Sequence, residues 1–433
     1  MNSLLLKEAR SLLNTYTDRV LHGASLYIED GVIEKITVNP IPGTKHDYVI
    51  DCKDKVVLPG LGNAHTHLPM TLFRGLADDL PLESWLNQKI WPLEHALKPW
   101  HVRAGAELGL IELIKNGVTA FADMYFYEDS VVTSALNAGL RILATPAVFD
   151  FEFKHSTLSD ALKIIESGHS DSCVRWGLGP QSTYSCKEET FEKIRDVSKS
   201  KNLSVHTHLA ESRWSQARCE REYGKRETNF LDDHDLLSPS LIAAHAVWIT
   251  KEEARLLGKK GAYVVFCPVS NMKLAEGGVA PVPELLETGV KVCFGTDGAA
   301  SNNSLNVLET VKTGLLLIKH SRWDPSLLKA QFALKMATEW AYDAMKFPKH
   351  SLDIGGAADL FTVDLKTPSM HCAESVSFAS RLAYANPTIK DVVVNGKPVM
   401  LDQCVQSLNE DKVFENFKEA LFDLQLGSVL RTR

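Results

Sequence analysis

The sequence predicts a (β/α)₈ barrel carrying a small β-sandwich domain formed by both termini. Three observations predict it. Eight apolar β-type runs alternate with amphipathic stretches between Val56 and about Asp297. The chemistry-bearing residues gather at the C-terminal ends of non-adjacent runs. Short β-type runs before the first of these stretches return after the last.

The runs are VVLPGLGNAH, GVTAFADM, LRILATPAVF, VRWGLGP, LSVHTHLA, LIAAHAV, AYVVFCPV and VKVCFGTD. They are continuous in apolar character, as parallel strands buried on both faces are. Between them, segments such as VRAGAELGLIELIKN and EETFEKIRDVSKSK space apolar residues at helical intervals. A doubly wound open sheet shares this alternation. Barrel enzymes, however, collect their chemistry at the C-terminal ends of several strands, which is the pattern here. Upstream, GASLYIEDGVIEKITV and YVIDC are broken by turn signals. Downstream, ADLFTVDL and DVVVNGKPVM read as strands, with NGK as a hairpin signal. The chain therefore divides into a barrel over 56–352 and a β domain from 1–55 plus 353–433. A final helix starts near Glu410.

Bulk composition narrows the function. The 433 residues are 45% hydrophobic and 23% charged, ordinary for a globular protein. A net charge of −7 argues against a nucleic-acid partner. No apolar run approaches the ~20 residues that span a bilayer. Charges interrupt the N-terminal MNSLLLKEARSLL before a signal-peptide core could form. The eight cysteines contain no CxxC pair, so buried, reduced thiols are expected. These features indicate a cytoplasmic protein acting on a small molecule, expected as a homo-oligomer.

Four segments then carry the chemistry: GLGNAHTHLPM, VHTHLAES, IAAHAV and CFGTDGAASNN. His65 and His67 are two residues apart on a strand, which puts both imidazoles on one face. His206 and His208 repeat that spacing. His208 lies nearer the strand end and three residues before Glu211, so His208 is the expected ligand and His206 a residue behind it. Asp297 closes the eighth run. In isolation an aspartate before glycine is an ordinary turn residue; beside three strand-end histidines it becomes a ligand and proton acceptor. Imidazole and carboxylate suit one divalent metal per chain, zinc first, with iron or manganese as alternatives. His245 is placed to assist the water and Glu211 to donate a proton. The segment VRWGLGPQSTYS has no lysine that could bridge a second metal.

With these residues in view, the chain resembles the mononuclear branch of the amidohydrolase superfamily. Within it, the chain is similar to deaminases of 5′-methylthioadenosine, S-adenosylhomocysteine and 5′-deoxyadenosine. NAHTHLPMTLFRGLADDLPLESWLNQKIWPLE, HTHLAES and CPVSNMKLAEGGVAPVPELLETGVKVCFGTDGAASNNSLN carry the likeness. The resemblance implies hydrolytic deamination at C6 of adenine. It assigns the metal to His65, His67, His208 and Asp297, the N1 proton to Glu211, and help to the nucleophile to His245. Glu94 would face the ribose hydroxyls. Arg141 matches an arginine on the substrate-binding side of the family, with a structural cation as its competing role. The family's GPHAPY-type segment is here Gly179-Pro180-Gln181-Ser182-Thr183-Tyr184. Gln181 thus replaces a histidine on the sugar side, and the 5′-group is left open. Competing readings are an aminodeoxyfutalosine deaminase, a guanine, pterin or triazine aminohydrolase, and an inactive scaffold. Retention of every ligand argues against the scaffold.

Overall fold

Eight parallel strands form the barrel: β1 (Leu61–Thr66), β2 (Val118–Asp123), β3 (Arg141–Ala144), β4 (Val174–Pro180), β5 (Ser204–Leu209), β6 (Leu241–His245), β7 (Tyr263–Phe266) and β8 (Lys291–Phe294). They are hydrogen-bonded in chain order. The computed structural model describes residues 3–17, 19–38, 45–151, 155–371 and 377–426. The barrel closes between β1 and β8 through bonds at the strand ends. Asp297 N donates to His65 O at 3.0 Å, and the Asn63 side chain bonds Thr296 through its N–H and hydroxyl. Gly295 is required at this seam: a Cβ there would lie 2.6 Å from Val265 Cγ1 and 2.9 Å from His65 Cβ.

Small side chains fill the barrel's interior. Ala64, Ala120, Ala122, Leu143, Ile242, Val265 and Cys293 form a core closed from below by Tyr342, Met345 and Phe347. That arrangement leaves the upper end of the barrel to polar groups. Helices Pro99–Lys115, Glu188–Lys201, Lys251–Lys260 and Val307–Arg322 lie among the elements outside the strands. Thr250 caps the third of these, accepting from Glu253 N, while Asn306 caps the fourth by accepting from Glu309 N.

Both chain ends build the second layer. A four-stranded sheet comes from the N-terminal residues, and a seven-stranded sheet joins Ser11–Asn14 and Lys55–Pro59 to Leu360–Asp364, Ile389–Val394 and Lys397–Leu401. Leu4, Leu6, Leu26 and Ile28 pack with Val57, Leu360 and Val393 in one apolar core between them. The run VVLPGLGNAH is therefore two strands. Lys55–Pro59 pairs antiparallel with Leu360–Asp364 in the terminal sheet, and only Leu61–Thr66 enters the barrel. Gly60 makes the step between them, because a Cβ there would sit 1.9 Å from Thr119 Oγ1.

Arg141 does not belong to the substrate side. It opens β3, at the end of the barrel away from the strand-end histidines, and is 2% exposed. Its guanidinium makes two bonds to Asp359, at 2.5 and 3.1 Å. Burial opposes its charge, but Asp359 more than compensates. Asp359 also accepts from Tyr342 Oη and Asn395 N. The residue joins the barrel to the terminal sheets, so its role is that of a structural cation.

Candidate active site

The site is built where strand ends turn sharply. Ala210, His245, Ala246 and Asp297 all have positive φ, between 46° and 74°. A non-glycine residue held there costs about 1–3 kcal/mol and persists only when its surroundings fix it. Here they do. Ala210 N donates to the buried Glu227 carboxylate at 2.7 Å, Ala246 N to Leu209 O, and Asp297 N to His65 O. The turns aim Glu211, His245 and Asp297 toward one point above the barrel core.

Hydrogen bonds fix which imidazole nitrogens face that point. His67 Nδ1 donates to Met124 O and His208 Nδ1 to Gln181 O, both at 2.7 Å. Thr145 Oγ1 donates to Asp123 O, so it accepts from His206 Nδ1 at 3.2 Å. His206 Nε2 then accepts from His65 Nδ1 at 2.8 Å. His65, His67 and His208 therefore each present an unprotonated Nε2 to the centre. His206 is the orienting group behind His65, as expected from its place on β5.

The resulting donor set suits a cation. His67 Nε2 and His208 Nε2 face each other at 3.2 Å with lone pairs on both, a repulsive contact unless a positive charge lies between them. The buried His65 Nε2 has no hydrogen-bond partner. Asp297 Oδ1 lies 3.5 Å from His65 Nε2 and 3.4 Å from His67 Nε2. Separations of this order are those between ligand atoms on one ion with bonds of ~2.1 Å. Ligating atoms of His65, His67 and His208, and of His65, His245 and Asp297, fall within 4.8 Å of one another. Burial lowers His67 to about 4, and it also holds His208 well below its usual range, so neither carries a competing proton at neutral pH.

The carboxylates are differentiated by their neighbours. Burial works to protonate Asp297, while the donors around it favour the ionised carboxylate. Its Oδ2 accepts from Ser270 Oγ at 2.5 Å and Ser301 Oγ at 2.8 Å, and its Oδ1 from Gly298 N. Glu211 is the opposite case: burial, then the charges of Glu276, Asp297 and Glu227, push it well above its ordinary value. It stands 3.6 Å from His245 Nε2. Asn271 Nδ2 lies 3.0 Å from His245 Nδ1 and sets that ring's orientation.

His67, His208, Glu211 and Asp297 share one pocket with Glu94, Gln181, Tyr125 and Tyr184. Glu94 arrives on the segment after β1, where a π-helical turn at Leu86–Ile90 leads into Trp91–Glu94. Such turns recur at functional sites. Gln181 is held on both sides: its Nε2 donates to Tyr184 Oη at 2.9 Å, and its Oε1 accepts from Ser182 Oγ at 2.7 Å. One amide N–H is left for a ligand.

Sequence reasoning missed the pocket's apolar wall, formed by Trp85, Leu86, Trp91, Phe126 and Phe149. It also missed Ser270, Ser301, Asn271 and Glu227 as supports. The SNM of CPVSNMK, directly after β7, was a usable signal for the first and third; Glu227 lies in a helix with no local signature.

Burial raises Glu94 to about 7. Below the unfolded carboxylate range the group is neutral in both states; as pH rises from that range to about 7 only the unfolded state ionises, so the fold loses stability across that window and no more above it. Glu94→Gln should therefore stabilise the protein by up to about 3 kcal/mol above pH 7, with the gain vanishing near pH 4. Thermal unfolding of both forms across that range checks this.

These features define a metal-dependent hydrolase. The chain belongs to the amidohydrolase family, whose model matches residues 56–399. It is 36% identical over 431 residues to a 5′-deoxyadenosine deaminase of Methanosarcina barkeri, covering 98% of this chain and 99% of that one. A 5-methylthioadenosine/S-adenosylhomocysteine deaminase of Pyrococcus furiosus is also 36% identical, over 406 residues, 92% of this chain and 96% of the relative. Among solved structures, an adenosine deaminase from Xanthomonas campestris with bound zinc superposes with a TM-score of 0.92, at 30% identity over 98% of this chain and 99% of that one. Seven cysteines, Cys52, Cys173, Cys186, Cys219, Cys267, Cys293 and Cys404, are free; Cys372 lies outside the described residues. No helix among the described residues is long and apolar enough to cross a membrane.

Proposed function

We propose that the chain is a hydrolytic deaminase of adenine nucleosides, converting 5′-deoxyadenosine, 5′-methylthioadenosine, S-adenosylhomocysteine or adenosine to the inosine analogue and ammonia. The observation that carries this reading is the convergence of His65, His67 and His208 Nε2 with Asp297 Oδ1 beside a Glu211 disposed to stay protonated. His65, His67, His208 and Asp297 would hold one divalent ion, with zinc as the proposed metal and iron or manganese as alternatives. Such an ion lowers the pKa of its water toward ~7 and so makes hydroxide available at neutral pH.

The chain's own groups do the rest. Glu211 delivers its proton to N1 of the ring, which makes C6 electrophilic. His245, 3.6 Å from Glu211, orients the attacking oxygen. Asp297 accepts the water proton and passes it to the amino group; the C6–O bond forms, the C6–N bond breaks, ammonia departs, and the proton of the new C6 hydroxyl returns to Glu211 to leave the carbonyl. Glu94 takes the ribose hydroxyls, a contact a free base could not use, which favours nucleosides over guanine, pterins or triazines. The names of the relatives above support the same substrate class. The protein is proposed to act in the cytoplasm as a homo-oligomer.

An ammonia-release screen tests the reading. Adenosine and its 5′-modified forms should turn over and guanine should not. Turnover of guanine or a triazine without the nucleosides would overturn it. Gln181 is proposed to act at the sugar's 5′-side. Its free N–H offers one neutral hydrogen bond, so Gln181→His should shift kcat/KM ratios among nucleosides by roughly three- to tenfold. An equal change for adenosine, 5′-deoxyadenosine and methylthioadenosine would remove Gln181 from the specificity set.

A further inference from the structure

We propose that Lys273 is a positioning residue that ties the segment walling the pocket after β1 to the two turns that hold His245 and Asp297. The proposal draws on the nucleoside reading only for the substrate used in its test.

Three stretches of chain meet at the Lys273 ammonium. Its Nζ donates to Ala300 O at 3.1 Å and to Asn303 Oδ1 at 3.0 Å, and it pairs with Asp78 Oδ1 at 2.6 Å. An ammonium has three N–H donors, so this set saturates it. Asn303 joins the same stretches a second time. Its carbonyl accepts from Arg74 Nη1 at 2.7 Å, and its Nδ2 reaches Asp78 Oδ2 at 3.5 Å. Asn303 has a φ of 66°, in the left-handed region that asparagine enters more readily than most residues. The Lys273 side chain is 22% exposed and that of Asp78 40%, so the cation is mostly withdrawn from water while its acidic partner stays near the surface.

What each stretch carries gives the junction its meaning. Lys273 ends the helix Pro268–Lys273, whose Ser270 bonds Asp297 and whose Asn271 lies 3.0 Å from His245 Nδ1. Ala300 lies in the short helix Ala299–Asn302, whose Ser301 also bonds Asp297, and Asn303 caps it. Asp78 precedes Leu82, Trp85, Trp91 and Glu94, all on the pocket wall, and Leu274, next to Lys273, lines the same pocket. One cation therefore fixes the wall that faces the substrate relative to the groups that act on it. A surface ion pair alone is worth little. This ammonium also satisfies a backbone carbonyl and a side-chain amide, so its removal frees all three stretches together. Displacing reacting groups by ~1 Å can cost on the order of 10²-fold in rate.

The two partners should separate in kinetics. The test measures KM and kcat for 5′-deoxyadenosine, metal content, and amide hydrogen exchange over residues 80–94 in wild type, Asp78→Ala, Lys273→Met and Lys273→Arg. Asp78→Ala loosens the wall alone and should raise KM by roughly three- to tenfold with kcat near the wild-type value. Lys273→Met should raise KM similarly and also lower kcat by roughly ten- to hundredfold, because the supports of His245 and Asp297 are freed as well. Both should keep the wild-type metal content and exchange faster over 80–94. Lys273→Arg, which can still pair with Asp78, should recover part of the KM. Unchanged KM and exchange in Asp78→Ala would overturn the tether, a result that stands even if Lys273→Met does not fold. Loss of metal in step with activity in Lys273→Met would also overturn it, making the residue a general support of the fold. A wild type that turns over no adenine nucleoside would overturn the nucleoside reading, and the exchange rates would then decide the tether on their own.

Discussion

Stripping the metal with a chelator should abolish turnover, and zinc, iron or manganese should restore it at about one ion per chain. The three Nε2 atoms facing inward belong to histidines whose other nitrogens are already committed to Met124, Gln181 and His206. They cannot turn to another partner without breaking buried hydrogen bonds, so the set is organised for a cation. His65→Ala should lose the ion itself, because the site has few ligands and each must be present. The stoichiometry is set by β4, which ends in Pro180 with Gln181 to Tyr184 following and no lysine to bridge a second ion. Metal analysis of the purified protein and its chelated form reads both quantities. Two tightly held ions per chain would contradict the mononuclear site.

Glu211→Gln should behave in the opposite way, keeping its metal while losing roughly 10²–10⁴ in kcat, the range for a positioned acid–base group. Glutamine is nearly isosteric and can still hydrogen-bond N1, but it has no proton to deliver at neutral pH. The environment that raises Glu211 does so first by burial and then through Glu276, Asp297 and Glu227. That keeps the acid form available in the pH range where Asp297 is already ionised. Metal content and kcat measured on the same preparations separate the two roles. Equal loss of metal in Glu211→Gln and His65→Ala would make Glu211 a ligand and not a proton donor.

Period and position made much of this legible in the sequence. Continuous apolar runs revealed the eight barrel strands, and the HxH spacing placed His65 with His67 on one face. The choice of His208 over His206 followed from position along β5, and the structure puts His206 behind His65. What the sequence hid depends on contacts between distant segments. Arg141 resembles a substrate residue by motif, yet its partner Asp359 lies 218 positions away and draws it to the far end of the barrel. The division of VVLPGLGNAH at Gly60 depends on Thr119, which only the folded barrel brings close. The positive φ at Ala210, His245 and Asp297 has no signature either, because none is glycine. Their conformations are imposed by Glu227, Leu209 and His65 from neighbouring turns and strands.

The measurement that tests the central claim most directly is deamination of 5′-deoxyadenosine in heavy-oxygen water by the metal-loaded protein, with a chelated control. The account predicts one ammonia released per product, heavy oxygen at C6 of the inosine-type product, and no product in the control. Undiminished product from verified metal-free protein, or a product without solvent oxygen at C6, would contradict it.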